Sequence, residues 1–270
     1  MQRQIRLNWV AYSIEAGALG TFMVSAVVFA ALLYHPASTL SASIHSELLR
    51  RSLMGLAMGL TAVAIIYSPA GQRSGAHRNP AVTLTFLRLR KIGRTDAAGY
   101  VLAQFIGAVA GLAMVAQALP AGVVSAPSVN YVTTRPGPAG DTVAFAAELT
   151  ISFVLMFCVL LVSNTRRAAP YTGLCAGLLV WLYITLESPL SGMSMNPART
   201  LGSALLAADY RGLWIYAVAP PAGMLAAAEL FVHLHGIERV LCAKLHHPRG
   251  TSCHFACAMK PTPSQDIEAS

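Results

Sequence analysis

The chain has 270 residues, of which 55% are hydrophobic and only 11% charged, with a formal net charge of +8. A soluble globular chain carries about 25% charged residues, so this composition suits a bilayer and excludes an ordinary soluble domain. The positive charge would point to nucleic acid in a soluble protein; here it sits in short segments between apolar blocks, so it is read as membrane topology and no nucleic-acid partner is expected.

Arg3 and Arg6 precede the first apolar run, about 9–33. That run is too long for the core of a signal peptide and contains Glu15, so a retained first helix is predicted. Further runs at about 51–70, 96–119, 142–163, 169–187 and 213–235 complete six segments of roughly the 20 residues a spanning helix needs. Two shorter runs, about 79–89 and 196–207, follow the second and the fifth. Each is too short to cross, and non-helical backbone at membrane depth survives only where protein buries it or water lines it, so both are read as re-entrant. The predicted fold is an all-α membrane protein of six transmembrane helices plus two re-entrant half-helices. Residues 1–235 form the membrane domain, with halves at about 9–119 and 142–235, and residues 236–270 form a tail.

With the N-terminus placed in the cytoplasm, only Arg50, Arg51, Arg135, Arg199 and Arg211 of the 19 Lys and Arg residues fall outside. This positive-inside bias predicts a multi-pass protein of the inner cell membrane with both termini cytoplasmic. Gly55 and Gly59, Gly107 and Gly111, and Gly173 and Gly177 are spaced four apart, as close helix packing in a bilayer requires.

The chain repeats itself. Asn79-Pro80-Ala81 recurs as Asn196-Pro197-Ala198, with Ser74-Gly75 and Ser191-Gly192 each five residues before the Asn. Tyr100, Gln104 and Gly107 after the first motif match Tyr216, Pro220 and Gly223 after the second, and Glu15 and Glu148 open the two halves. Three spans per half is an odd number, so the halves run in opposite directions, the inverted repeat whose sites fall at broken helices near the midplane.

Pro suits the first position of a helix and Asn its N-cap, so each motif starts a half-helix. Opposed halves bring the two caps together at mid-membrane, with the Asn side-chain amides available as donors and the positive ends of both half-helices facing one point, where they repel cations. Arg199, three residues after Asn196, lies one turn into the second half-helix; an arginine at that depth is costly and marks a functional position.

Ser74 to Thr83 and Ser191 to Thr200, read together with the six spans, resemble the paired motifs of the aquaporin, or major intrinsic protein, family, as a bacterial-type member with a mixed water and solute pattern. The resemblance covers about residues 9–235. It implies homotetramers with one pore per subunit, passing water or small uncharged solutes and refusing protons through Arg and the half-helix dipoles. It implies a central donor pair, Asn79 and Asn196, and a pore lining of Gly75, Ala76, His77, Arg78, Gly192, Met193, Ser194 and Met195. It implies an outer constriction of Arg199, Ile184, Met193 and Gly59, with Met58 as the alternative to Gly59, and structural braces in Glu15 and Glu148. That constriction departs from water-selective members, which carry Phe and His there, whereas glycerol facilitators carry Asp where this chain has Thr200. Ala204 matches water-type members, and Tyr216 and Ala217 are intermediate. The mixture implies water, glycerol or neutral metalloid acids as permeants. Arg78 stands where relatives carry an apolar residue; pairing with Glu148 or with carbonyls is expected, the alternative being a charge that biases the vestibule toward anions.

The tail concentrates Cys242, His246, His247, Cys253, His254 and Cys257. Cys242, His246, Cys253 and Cys257 are spaced as zinc ligands could be, although structural zinc motifs usually open with a tighter Cys pair. The alternative is a basic cytoplasmic tail with reduced or acylated cysteines and no cofactor. The odd number of cysteines, with Cys158 and Cys175 inside apolar segments, does not suggest a disulfide framework. Residues 258–270 are polar and expected to be disordered. No hydrolytic residue set is present, so no enzyme is expected. A secondary transporter would need a coupling-ion site, for which the spans offer, beyond Glu15 and Glu148, only Glu187, Glu229 and Asp96 toward their ends. A non-conducting scaffold of the same fold is the third reading.

Overall fold

A computed structural model describes residues 8–248 and 253–259. Arg3, Arg6, Arg249, Lys260 and most of the segment 258–270 lie outside the described residues. Among those described, the regular structure is entirely helical. Six helices are long and apolar enough to cross a membrane. In chain order the principal elements are α1 (Trp9–Tyr34), α2 (Glu47–Tyr67), the half-helix α3 (Pro80–Arg88), α4 (Arg94–Ala118), α5 (Asp141–Ser163), α6 (Thr172–Leu186), the half-helix α7 (Pro197–Ala207) and α8 (Leu213–His235).

Local sequence sets several ends. The side chain of Asn8 accepts the Ala11 N–H at the start of α1, and Ser46 accepts that of Leu49 at the start of α2, capping donors that have no intrahelical partner. The Ser46 cap starts α2 earlier than the hydrophobic run suggests, so Arg50 and Arg51 lie inside the helix. Pro69 ends α2 by forcing Ser68 into extended backbone, and a short helix, Pro69–Ser74, follows.

The packing follows the repeat. Helix α1 lies along α4, α5 lies along α8, and α2 lies against α6. A twofold exchange of the halves maps the first pair onto the second and the third onto itself. Gly107 and Gly223, matched in the two halves, mark the close crossings: a Cβ on Gly107 would run into the Ala16 carbonyl, and one on Gly223 into that of Leu149. Without a hydrophobic force between helices in lipid, such backbone approach supplies the packing. Leu102, Ile106, Met114 and Leu178 face outward, forming the lipid surface, and Trp9, Trp214 and Tyr171 stand exposed near helix ends, as interfacial aromatics do.

Candidate functional site

The segments entering the half-helices share one architecture. Asn79 and Asn196 are extended, and each side-chain oxygen accepts the N–H of its own helix, Ala81 for Asn79, Ala198 and Arg199 for Asn196. Ahead of each Asn, non-glycine residues hold left-handed backbone, Ala76 (φ 56°) and Arg78 (φ 50°) in one loop, Met193 (φ 51°) and Met195 (φ 54°) in the other. Such conformations cost of order 1–3 kcal/mol each and persist only when neighbours enforce them. The enforcing groups are two buried carboxylates. Glu15 accepts from Ser74 Oγ (2.7 Å), the His77 N–H (3.1 Å), the Arg78 N–H (2.6 Å) and Gln104 Nε2 (2.9 Å). Glu148 accepts from Ser191 Oγ (2.9 Å), the Ser194 N–H (2.6 Å) and the Met195 N–H (2.7 Å). Turning the N–H groups toward the carboxylates leaves carbonyls of the same peptides free to face the other way. Tyr100 and Tyr216 donate to the carbonyls of Ser74 (2.6 Å) and Ser191 (2.5 Å), completing the match.

The two half-helices meet tip to tip. Asn79 Nδ2 donates to the Met195 carbonyl at 2.6 Å and Asn196 Nδ2 to the Arg78 carbonyl at 2.8 Å. Each amide has two N–H donors, so one is committed to the crossing bond and one is left for the cavity. Both side chains line a cavity of about 460 Å³ that runs from Glu47 and Arg51 at one end to His77 and Leu245 at the other.

Arg78, Ile184, Gly192, Met193, Ser194, Met195 and Arg199 also line this cavity. Gly75 and Ala76 lie just beyond it; both are buried, and Gly75 is covered by Phe255. Gly59 does not line it. It faces α6, where a Cβ would stand 2.5 Å from the Gly177 carbonyl, and the wall position belongs to Met58, one residue earlier. Adjacent helical residues point about 100° apart, so a one-residue difference moves a side chain from the lumen to a helix contact. Arg78 does not pair with Glu148. Its guanidinium reaches the Ala76 carbonyl (3.4 Å) and lies 5.7 Å from the Phe22 ring centre, a cation–π arrangement. Arg199 donates to the hydroxyl of Thr134, a buried residue of the loop before α5 that no sequence pattern singles out.

His77 is held at both ring nitrogens. Nε2 lies 2.8 Å from the Ala243 carbonyl, which can only accept, so Nε2 carries a proton, and Nδ1 lies 3.1 Å from Thr83 Oγ1. The matching position in the second half is Ser194, whose hydroxyl meets Thr200 Oγ1. The partner Ala243 belongs to the tail, which folds back over this end of the membrane domain. There the side chains of Cys242, His247, Cys253 and Cys257 converge, with one possible ligand atom from each and all within 4.8 Å of one another. The sequence spacing nominated His246 in place of His247. His246 instead packs edge-on against Tyr67, with ring centres 4.8 Å apart. In an irregular segment, adjacent residues carry no periodicity to say which one points inward. Cys158 and Cys175 are free and half-buried in α5 and α6.

Six spans in two opposed halves, with half-helices meeting at a common cavity, define a membrane protein of the inverted-repeat pore type. The family model described as "Major intrinsic protein" matches residues 7–231, and the chain belongs to that family. It is 37% identical over 193 residues to Aquaporin NIP3-1 of Arabidopsis thaliana, covering 70% of this chain and 59% of that protein. It is 36% identical over 179 residues to Aquaporin NIP1-1 of Oryza sativa subsp. japonica, covering 65% of this chain and 60% of that protein. The match thus spans about three fifths of the length of these relatives. Among solved structures, the aquaglyceroporin from Plasmodium falciparum shares the fold, with a TM-score of 0.68 at 22% identity over 82% of this chain and 95% of that one.

Proposed function

We propose that this protein is a passive channel for water and small uncharged solutes, glycerol and neutral metalloid acids among them, and that it excludes protons and ions. The observation that carries this reading is the pair of crossed amides: Asn79 and Asn196 each keep one N–H for the lumen while both half-helix N-termini point at the same spot. A molecule there meets donors from both sides and positive helix ends, so it accepts hydrogen bonds without passing a proton on, and cations are repelled. The names of the relatives, aquaporin and aquaglyceroporin, support the same class.

The narrow part of the path is assigned to Met58, Ile184, Met193 and Arg199. Three apolar side chains and one fixed guanidinium favour solutes with a carbon face and hydroxyl groups. Glu15 and Glu148 act as structural braces rather than as coupling-ion sites, since their oxygens are occupied by loop donors. The chain ends lie on the cytoplasmic side of a cell membrane, in accord with the placement of basic residues, and the working unit is a homotetramer with one pore per subunit. Stopped-flow light scattering on proteoliposomes tests the class: osmotic water flux and glycerol or boric acid flux should rise above empty vesicles without a rise in proton leak. Solute flux that saturates and demands an ion gradient would instead support a transporter.

A further inference from the structure

The tail reaches the cavity as two short loops, and each is bracketed by two of the converging side chains. Cys242 and His247 flank Ala243 and Leu245; Cys253 and Cys257 flank Phe255. The bracketed residues do the contacting. The Ala243 carbonyl accepts from His77 Nε2, and the Leu245 N–H donates to the Gly75 carbonyl at 3.2 Å. Phe255 stacks on the His77 ring at 5.6 Å. One backbone acceptor and one backbone donor thus stand where water would otherwise meet His77 and the first loop carbonyl. Leu245 forms the floor of the cavity. Further bonds tie the tail to both halves of the membrane domain, Leu241 N–H to Asn164 Oδ1 (2.7 Å) and Ala256 N–H to the Lys91 carbonyl (3.0 Å).

Segments this short and irregular have no core of their own and need a cross-link to hold a shape. The four ligand atoms lie close enough to supply one, all within 4.8 Å of one another. In a tetrahedral zinc site with Zn–S near 2.3 Å and Zn–N near 2.0 Å, neighbouring ligand atoms stand roughly 3.5–3.8 Å apart. Cys242 Sγ lies 3.5 Å from Cys253 Sγ, and Cys257 Sγ lies 3.5 Å from His247 Nε2. His247 Nδ1 lies 3.0 Å from the Pro248 carbonyl, which can only accept. The proton is therefore on Nδ1 and the lone pair on Nε2, the tautomer and second contact that a metal-binding histidine uses. Three sulfurs and one imidazole are soft and borderline donors that select zinc over harder divalent ions.

We infer that Cys242, His247, Cys253 and Cys257 bind one zinc(II) ion, and that this ion holds the tail as a plug across His77 at the mouth of the cavity. Loss of the metal frees both loops together, so the plug lifts. The effect on flux rests on the channel reading above; the metal site and the position of the tail do not.

The test uses the full-length protein purified without chelator. Elemental analysis should find about one zinc per chain, falling at least about tenfold in Cys257→Ser. Hydrogen–deuterium exchange should show segment 240–247 protected with zinc and exposed after stripping with a strong chelator, and protection should return on adding zinc. In proteoliposomes, stripping should raise water flux at least about fivefold. Phe255→Ala removes the ring on His77 and keeps the backbone carbonyl that accepts the Cys257 N–H (2.8 Å), so it should raise flux while zinc is retained, separating the plug from any misfolding of cysteine variants. A chain purified without zinc, or one whose mass shows a Cys242–Cys253 disulfide instead, overturns the inference. So does unchanged protection after stripping, or unchanged flux in a conducting protein. Zinc-dependent protection with no flux in any form would support the metal-held plug and overturn the channel reading.

Discussion

The carboxylate of Glu15 accepts the backbone N–H of Arg78 at 2.6 Å, deep in the membrane domain and 63 residues away along the chain. Glu148 makes the equivalent bond to Met195 in the other half. Both acceptors hold loops whose left-handed residues would relax without them. Glu15→Ala leaves two backbone N–H groups, a hydroxyl and the Gln104 amide without their acceptor. At about 1–3 kcal/mol for each buried donor left unpaired, the cost exceeds about 4 kcal/mol. The expected outcome is loss of folded protein in detergent, seen as a collapse of the size-exclusion peak and of the thermal unfolding midpoint. Glu15→Gln keeps one acceptor oxygen and should fall between. An alanine variant that melts like the parent would show that the loop holds its shape without the brace.

How far the sequence reaches is clear from these residues. The half-helices are readable because Asn and Pro obey local rules at a helix start, and the inverted halves are readable because Glu15, Ser74 and Tyr100 recur as Glu148, Ser191 and Tyr216. Met58 and Gly59 are not separable by such rules. Their choice depends on the phase of α2 relative to the lumen, which tertiary packing against α6 sets and no local rule announces. Thr134 and Ala243 meet their partners Arg199 and His77 across 65 and 166 residues, through loops with no repeating pattern, so only the folded chain reveals them.

The phase of α2 gives a paired prediction. Met58→Phe with Ile184→His narrows the lumen wall and adds a polar edge, so glycerol flux should fall at least about tenfold while water flux falls by less than about threefold, since a narrower pore discriminates by solute size. Gly59→Phe forces a ring into the Gly177 backbone and should instead reduce the yield of folded protein. Stopped-flow measurements of both fluxes on the first variant decide the matter. Equal loss of water and glycerol flux would remove Met58 and Ile184 from the constriction.

Arg199 offers a fixed positive charge beside the lumen, held by Thr134. Arg199→Val removes the charge, and proton or small-cation leak in vesicles should rise clearly above that of the parent while water flux is kept or increased. Thr134→Val keeps the charge and loses its anchor. Its ion leak should stay near the parent value, while discrimination between glycerol and larger polyols weakens. If the two variants leak alike, positioning rather than charge is what excludes ions at this point.

Thr134 is itself steadied from outside the membrane. Its neighbour Arg135 pairs with Asp209 just beyond α7, and Arg211 binds the same carboxylate through Nε at 3.0 Å and Nη2 at 2.9 Å. The hydrogen bond from Arg211 is the main reason the Asp209 carboxyl is held well below the usual carboxylate range. A carboxyl whose pKa is lowered by folding contributes stability above its ordinary value, and that contribution is lost only as pH falls through the lower folded value. The clamp should therefore persist from neutral pH down to about pH 4, close to the ordinary carboxylate value. Hydrogen–deuterium exchange of segment 133–140 should be insensitive to pH across that window once corrected for the intrinsic rate. Asp209→Asn should raise exchange there and weaken polyol discrimination as Thr134→Val does, with the fold intact. An unchanged exchange rate in Asp209→Asn would separate the outer ion pairs from the setting of Arg199.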